Sequence, residues 1–401
     1  MNRTIQSDFP VYKRGPLTYL DSAASSLTPS RVIEAINDYY TNRPVNVHRG
    51  VYTLSHEATN HYEQARQRIA DFIGASFEEI IFTRGASSAL NLAARIYGSA
   101  HVEKGDEIIV SDLEHHSSVL PWQQIAREKG ATLVYVPLST SHRISVDAVH
   151  SCITERTKVI ALTHISNVMG TITPVQEIAT LAREKGIITV IDGAQSAPHM
   201  PIDVKALNVD FFILSGHKML GPTGIGVLYG RYDLLKTLPP LEWGGDMIDE
   251  VNRHTATYKN PPYAFETGTP PIAEAIGLGE AALYLQSIGF NRIIEHEKAL
   301  RDKAIKGMQA LEGITIYNED SDTGIITFNL DRVHPHDAVS YFDEYNIAMR
   351  AGHHCAQLMM KHLDVVATLR ISFYLYNTQE DVAHFLNALK DARTFFTDVG
   401  F

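Results

Sequence analysis

Residues 187–230 read IITVIDGAQSAPHMPIDVKALNVDFFILSGHKMLGPTGIGVLYG, and this stretch decides the fold class. It holds three short apolar runs, IITVI, FFIL and GIGVL. A strand with one face in water alternates apolar and polar residues, whereas nearly continuous Val, Ile, Leu and Phe runs belong to strands covered on both faces, as in a parallel sheet flanked by helices. Working outward, runs of the same kind recur at EIIFT (79–83), DEIIVSD (106–112), ATLVYVPL (131–138) and KVIALTHIS (158–166). Helical patterns at 88–98, 120–130 and 175–186 lie between them, the last two closing on glycine as a helix C-terminus does. The alternation predicts an α/β domain built on a mainly parallel sheet.

After Pro270 and Pro271 the pattern changes. A helical stretch from Ile272 to about Leu311 precedes a strand at 324–330, a helix near His336–Tyr345, a strand at 367–373 and a last helix at Gln379–Phe396. The expected division is a large α/β domain over residues 21–271 and a smaller α+β domain made of 1–20 and 272–401. The chain has 401 residues, 44% of them hydrophobic and 20% charged, so it is expected to fold throughout. Its 35 basic and 46 acidic residues leave a net charge of −11 with no basic block, which argues against a nucleic-acid partner. No signal-peptide h-region or membrane span is read in the sequence, and the cytoplasm is the expected location. Two cysteines, Cys152 and Cys355, are too few for a secreted disulfide framework.

Ligands of open parallel sheets bind at the carboxyl ends of the strands, so the polar residues that follow each run are the candidates for chemistry. Arg84-Gly85-Ala86-Ser87-Ser88 opens a helix, where free N–H groups and the helix dipole suit a phosphate. Asp192 closes one run, and Ser215-Gly216-His217-Lys218 follows the next. A carboxylate and a lysine brought together in an apolar crevice describe a pyridoxal phosphate site, in which the acid keeps the pyridinium protonated and the lysine carries the cofactor. His115 follows a third run, where an imidazole could stack on a ring and move protons, and Asn167 follows a fourth, where its amide could bond a cofactor ring oxygen or a substrate oxygen. The Gly-rich run GPTGIG lacks the Lys-Ser/Thr ending of a P-loop, which disfavours a simple nucleotide binder. Cys355 sits in RAGHHCAQ (350–357), a Gly- and His-containing loop where a thiolate could be exposed, while Cys152 falls on a helix flank and reads as structural. The adjacent His353, His354 and Cys355 converge poorly on one tetrahedral ion, so no metal site is expected.

An ordered set of strings resembles the SufS-type cysteine desulfurases, fold type I pyridoxal-phosphate enzymes related to the class V aminotransferases. They are YLDSAASS (19–26), NVHRGVYTLS (46–55), FTRGASSALNLAA (82–94), EHHSSVLPW (114–122), HISNVMGT (164–171), IDGAQSAPH (191–199), SGHKMLGPTGIGVLYG (215–230), FETGTPP (265–271) and RAGHHCAQ. The resemblance implies pyridoxal 5'-phosphate as cofactor and conversion of L-cysteine to L-alanine. It makes Lys218 the Schiff-base lysine, Asp192 the pyridinium partner, Gln195 a donor to the ring oxygen and His115 the stacking imidazole. Ser87, Ser215 and His217 would hold the phosphate, and Thr269 would reach the phosphate of a neighbouring subunit in a homodimer. Asn167 and Arg370 would hold the substrate carboxylate, and Cys355 would take the sulfur as a persulfide and pass it to an acceptor protein of SufE or SufU type for iron-sulfur cluster assembly or other sulfur delivery. Selenocysteine lyase and cysteine sulfinate desulfinase are the rival activities within the family. Two positions depart from the family pattern: Ala86 stands where Thr is expected, and Leu358-Met359 where Pro-Leu is.

Overall fold

Seven strands form the larger sheet: β1 (Ile80–Thr83), β2 (Glu107–Ser111), β3 (Thr132–Val136), β4 (Thr157–Thr163), β5 (Ile188–Asp192), β6 (Phe211–Ser215) and β7 (Gly226–Gly230). Their spatial order is β1-β7-β6-β5-β4-β2-β3, and only β7 runs antiparallel to its neighbours. The structure is a computed structural model that describes residues 3–398; the first two and last three residues of the expected smaller domain lie outside the described residues.

The side-chain period of two sorts these strands onto two faces. Phe211 and Ile213 of β6 pack with Val190, Trp122 and Ile125, whereas Phe212 and Leu214 pack with Ile191, Ile160 and Ile69. Each such side chain contributes about 1.5–3 kcal/mol by leaving water. β3, at one sheet edge, is the most exposed of these strands, with Thr132 and Tyr135 facing solvent, whereas β1 at the other edge is buried throughout.

Helices α1 (Ser30–Asn42), α2 (Thr53–Ile73), α3 (Ala86–Ala93), α4 (His116–Lys129) and α5 (Val175–Glu184) come from this part of the chain. The structure begins α4 at His116, four residues earlier than the sequence pattern suggests, because the His115 ring caps it and Pro121 is accommodated inside. The expected helical stretch from 272 to 311 is two helices, α6 (Ile272–Ile288) and α7 (Phe290–Gln309), broken at Gly289, whose φ of +87° only glycine adopts freely. Helix α6 is apolar on nearly every side because α1 and α2 pack around it, and its residues join the same core as β4–β7.

A second sheet is antiparallel throughout, in the order β8 (Ile314–Ile316), β9 (Ile325–Leu330), β11 (Thr368–Ser372), β10 (Arg350–Gly352). Helices α8 (Pro335–Asp343) and α9 (Gln379–Asp398) cover it with α7. Strands β8 and β10 carry no clear sequence signal, being three residues each. The N-terminal segment joins here, with Thr18 and Tyr19 pairing in parallel with Ile347 and Ala348, and Asp21 bridging to Ser372.

Candidate active site

A cavity of about 810 Å³ opens at the carboxyl ends of β2, β4, β5 and β6. It is lined by Lys218, Asp192, Gln195, His115, Ser87, Ser215, His217, Asn167, Arg370 and Cys355. Of the residues to which the resemblance assigns a site role, Thr269 alone lies away from it, exposed in the turn before Pro270. The strand order reverses between β4 and β2, which splays the chain connections apart and leaves a crevice there.

Asp192 is the last residue of β5, and its register partner on β6, Ile213, places Lys218 one short turn beyond the next strand end. Close packing of the two strands depends on Gly193, where a Cβ would meet the Ile213 carbonyl at 2.8 Å. Burial pushes the Asp192 carboxyl up, opposed by the Ala194 N–H that it accepts at 3.0 Å and by Lys218. Burial likewise pushes the Lys218 amine down to about 8; Asp192 opposes the fall, and Arg370 adds to it. A lysine so displaced has a usable fraction of free amine near neutral pH.

His115 ends the β2 connection and caps α4, its Nδ1 accepting from the Ser117 N–H at 3.1 Å. Burial first, and then Lys218, hold its pKa down to about 4, so the ring is neutral. On the opposite wall, the first backbone bond of α3 runs from the Ala89 N–H to the Gly85 carbonyl at 3.0 Å. The N–H groups of Ala86, Ser87 and Ser88 precede it and belong to residues that line the cavity, an anion-binding arrangement. Ser87 Oγ pairs with Ser117 Oγ at 2.7 Å, and the His217 Nδ1 lies 3.3 Å from Ser25 Oγ.

Arg370 is buried, with Nη1 donating to the Asn167 carbonyl at 2.8 Å and Nη2 near Asp21 at 3.4 Å. Its Nε is buried and unpartnered, as is Gln195 Oε1. Burial lowers the Arg370 pKa to about 10, with Asp21 opposing. Cys355 follows β10 in a turn and is exposed; a thiolate there would oppose the fall at Lys218 and Arg370 and add to the rise at Arg350. Cys152 ends the short helix Val146–Cys152, which packs against β3 and α5, and lies against the core. Among the described residues, no group of three or more His, Cys, Asp or Glu is placed to hold a metal ion.

Two acids of the site escape a reading of the sequence. Glu114 is fully buried, accepting from Ser111 Oγ at 2.7 Å, Ser118 Oγ at 2.8 Å and the Thr163 N–H at 3.1 Å. It ties the end of β2 and the first turn of α4 to the end of β4, and burial raises its pKa to about 7. Its only sequence signal is an acid beside His115 after a buried strand. Asp21 accepts from Arg350 Nη2 at 3.0 Å as well as from Arg370, and it is marked in the sequence only by the apolar Leu20 before it.

The aminotransferase class-V family pattern matches residues 18–385. The chain belongs to that family. Its relatives include a probable cysteine desulfurase of Halalkalibacterium halodurans, 52% identical over 400 residues and covering 98% of each chain. A probable cysteine desulfurase of Staphylococcus aureus is 50% identical over 397 residues, 97% of this chain and 96% of that one. Among solved structures, the cysteine desulfurase CsdA (S-sulfonic acid) of Escherichia coli superposes with a TM-score of 0.93 at 37% identity, covering 98% of this chain and 99% of its own. The apo cysteine desulfurase of Thermococcus onnurineus NA1 gives a TM-score of 0.95 at 39% identity, covering 98% of each.

Proposed function

We propose that this chain is a cysteine desulfurase that converts L-cysteine to L-alanine and takes the sulfur as a persulfide on Cys355. The observation that carries this reading is the presence of the Cys355 thiol in the same cavity as the Lys218–Asp192 pair and the buried Arg370. The cavity fits pyridoxal 5'-phosphate: free N–H groups at the start of α3 for the phosphate, a buried carboxylate at β5 for the ring nitrogen, a Gln195 amide that spends one N–H on the Ala23 carbonyl, and an unpartnered Arg370 Nε awaiting an acceptor. Ser87, Ser215 and His217 would hold the phosphate, Asp192 the pyridine nitrogen, Gln195 the ring oxygen through its second amide hydrogen, and Lys218 the reactive carbon. When bound, the cofactor supplies an electron sink for the pair released at the substrate Cα.

The residues of the chain then divide the work. Arg370 and Asn167 bind the substrate carboxylate, for which a planar guanidinium offers two parallel donors. Lys218, as free amine, takes the Cα proton. Asp192 holds the proton at the ring nitrogen that makes the sink effective. The Cys355 thiolate attacks the substrate sulfur; a sulfur–sulfur bond forms as the Cβ–sulfur bond breaks, and the electron pair stays with the three-carbon unit, which becomes alanine once protonated. His115, neutral and beside Lys218, is placed to carry the protons of these exchanges.

An exposed persulfide suits transfer to the thiol of a small acceptor protein of SufE or SufU type, by thiol attack on the outer sulfur. A homodimer is supported by the hairpin Ile248–Val251 and Ala256–Tyr258, which leaves Val251 and Tyr258 open to solvent, and by the exposed Thr269, read as a contact to the partner's phosphate. Cytoplasmic placement fits two unpaired cysteines. No helix among the described residues is long and apolar enough to cross a membrane.

The test is incubation with cysteine, selenocysteine or cysteine sulfinate, with alanine measured alongside the released sulfur or selenium species. The peptide carrying Cys355 is weighed after exposure to cysteine. One added sulfur on Cys355, lost alanine production in Cys355→Ala and full activity in Cys152→Ser are expected. Sulfur on Cys152, or undiminished desulfuration by Cys355→Ala, overturns the persulfide role; better turnover of selenocysteine or sulfinate than of cysteine moves the activity to a sister enzyme.

A further inference from the structure

Helix α4 starts beneath the Cys355 loop, and its first residue is fastened to that loop twice. The His116 backbone N–H, one of the donors left free at a helix start, donates to the Cys355 carbonyl at 2.7 Å. The His116 ring Nε2 accepts from the Gln357 N–H at 3.1 Å, which places the ring proton on Nδ1. These two bonds grip the loop at the thiol residue itself and two residues beyond it.

The loop has reason to need gripping. His354 and Cys355 have φ values of +52° and +55°, a left-handed pair that non-glycine residues keep only where their surroundings over-determine it. On the near side, Asn167 Nδ2 donates to the His354 carbonyl at 2.7 Å, and the His354 Nε2 lies 2.9 Å from Thr368 Oγ1. Those contacts anchor the loop to the end of β4 and to β11. On the far side of the thiol, both fastenings come from His116. Burial, with His353 beside it, holds the His116 pKa below its ordinary value and keeps the ring in the neutral form that can accept.

We propose that His116 is a positioning residue, which locks the Cys355 loop to the start of α4 so that the sulfur-accepting thiol and the neighbouring His115 imidazole are presented to the substrate as one unit. The inference rests on the reading of Cys355 as the sulfur acceptor. His116 touches no reacting atom; it acts through the backbone of Cys355 and Gln357. Its value is geometric, because a thiolate must reach the substrate sulfur along the line of the Cβ–sulfur bond, and a loose loop spends most of its time elsewhere.

The experiment pairs hydrogen exchange with kinetics on the cofactor-loaded protein. His116→Ala removes the ring acceptor at a half-buried helix position that tolerates Ala, and His116→Phe fills the ring volume without an acceptor. His116→Gln puts Oε1 near the place of Nε2. In His116→Ala and His116→Phe, the amides of residues 353–357 are expected to exchange at least about fivefold faster, and kcat for cysteine to fall at least about tenfold with KM changed by less than about threefold. His116→Gln should bring both readings back to within about threefold of the natural protein. Exchange that stays within about twofold in both acceptor-free variants overturns the proposal. So does faster exchange with an unchanged kcat, or a Gln variant that behaves like Ala. The exchange reading needs no turnover, so a protein that makes no alanine from cysteine would defeat the proposed function while the lock on the loop was still being measured.

Discussion

Replacing Lys218 by Met in the cofactor-free protein should raise its stability at pH 7. Lys218 has a folded pKa of about 8 against 10.5 for a free side chain, chiefly through burial. Because the folded value is the lower one, the unfolded chain binds more protons between pH 8 and 10.5, and stability rises with pH across that window. Below pH 8 the penalty is complete; at 1.36 kcal/mol per pH unit it amounts to about 3 kcal/mol as an upper figure. Part returns when the lysine is removed, since Asp192 loses the cation that lowers its own pKa, and water in the open cavity screens the amine. The net gain expected is about 1–2 kcal/mol at pH 7. With an unfolding entropy of about 2.1 cal/mol/K for each of 401 residues, that raises Tm by about 1–3 °C. Scanning calorimetry of the stripped natural protein and the variant, at pH 7 and at pH 9.5, reads it directly, and the gain should fall by more than half at the higher pH. A variant that melts lower at pH 7, or whose advantage is the same at both pH values, would refute the burial argument.

Asp192→Asn should keep the fold but lose cofactor affinity and slow alanine formation by about 10²–10⁴-fold, read as weaker absorbance of bound cofactor together with kcat. Arg370→Lys should raise the KM for cysteine by about tenfold or more, since one charged hydrogen bond is worth about 1.5–3 kcal/mol and the bidentate geometry is lost; an unchanged KM would remove Arg370 from the carboxylate site. Glu114→Ala strands the Ser111 and Ser118 hydroxyls and the Thr163 N–H, and should cost about 2–4 kcal/mol, seen as a Tm lower by about 2–5 °C.

The sequence by itself determined the layered α/β fold, because buried strands leave an unmistakable trace: FFIL and IITVI have no wet face, and the polar residue that ends each run marks the carboxyl edge of the sheet. It also determined which polar residues next to those strand ends line the cavity, Asp192, Lys218, His115 and Asn167, since their position along the chain is their position in the crevice. Only the tertiary structure decided the rest, and the reason is sequence distance. Asp21 meets Arg370 across 349 positions and Gln357 meets His116 across 241, and no local pattern encodes such pairings. Short strands such as Arg350–Gly352 exist only because Thr368–Leu369–Arg370 supplies their hydrogen bonds, so their own three residues carry no periodicity to read. Glu114 belongs to the same class: burial raises its pKa to about 7 against the pull of two serines and a backbone amide, and none of these surroundings is announced by a residue type before the chain has closed around it.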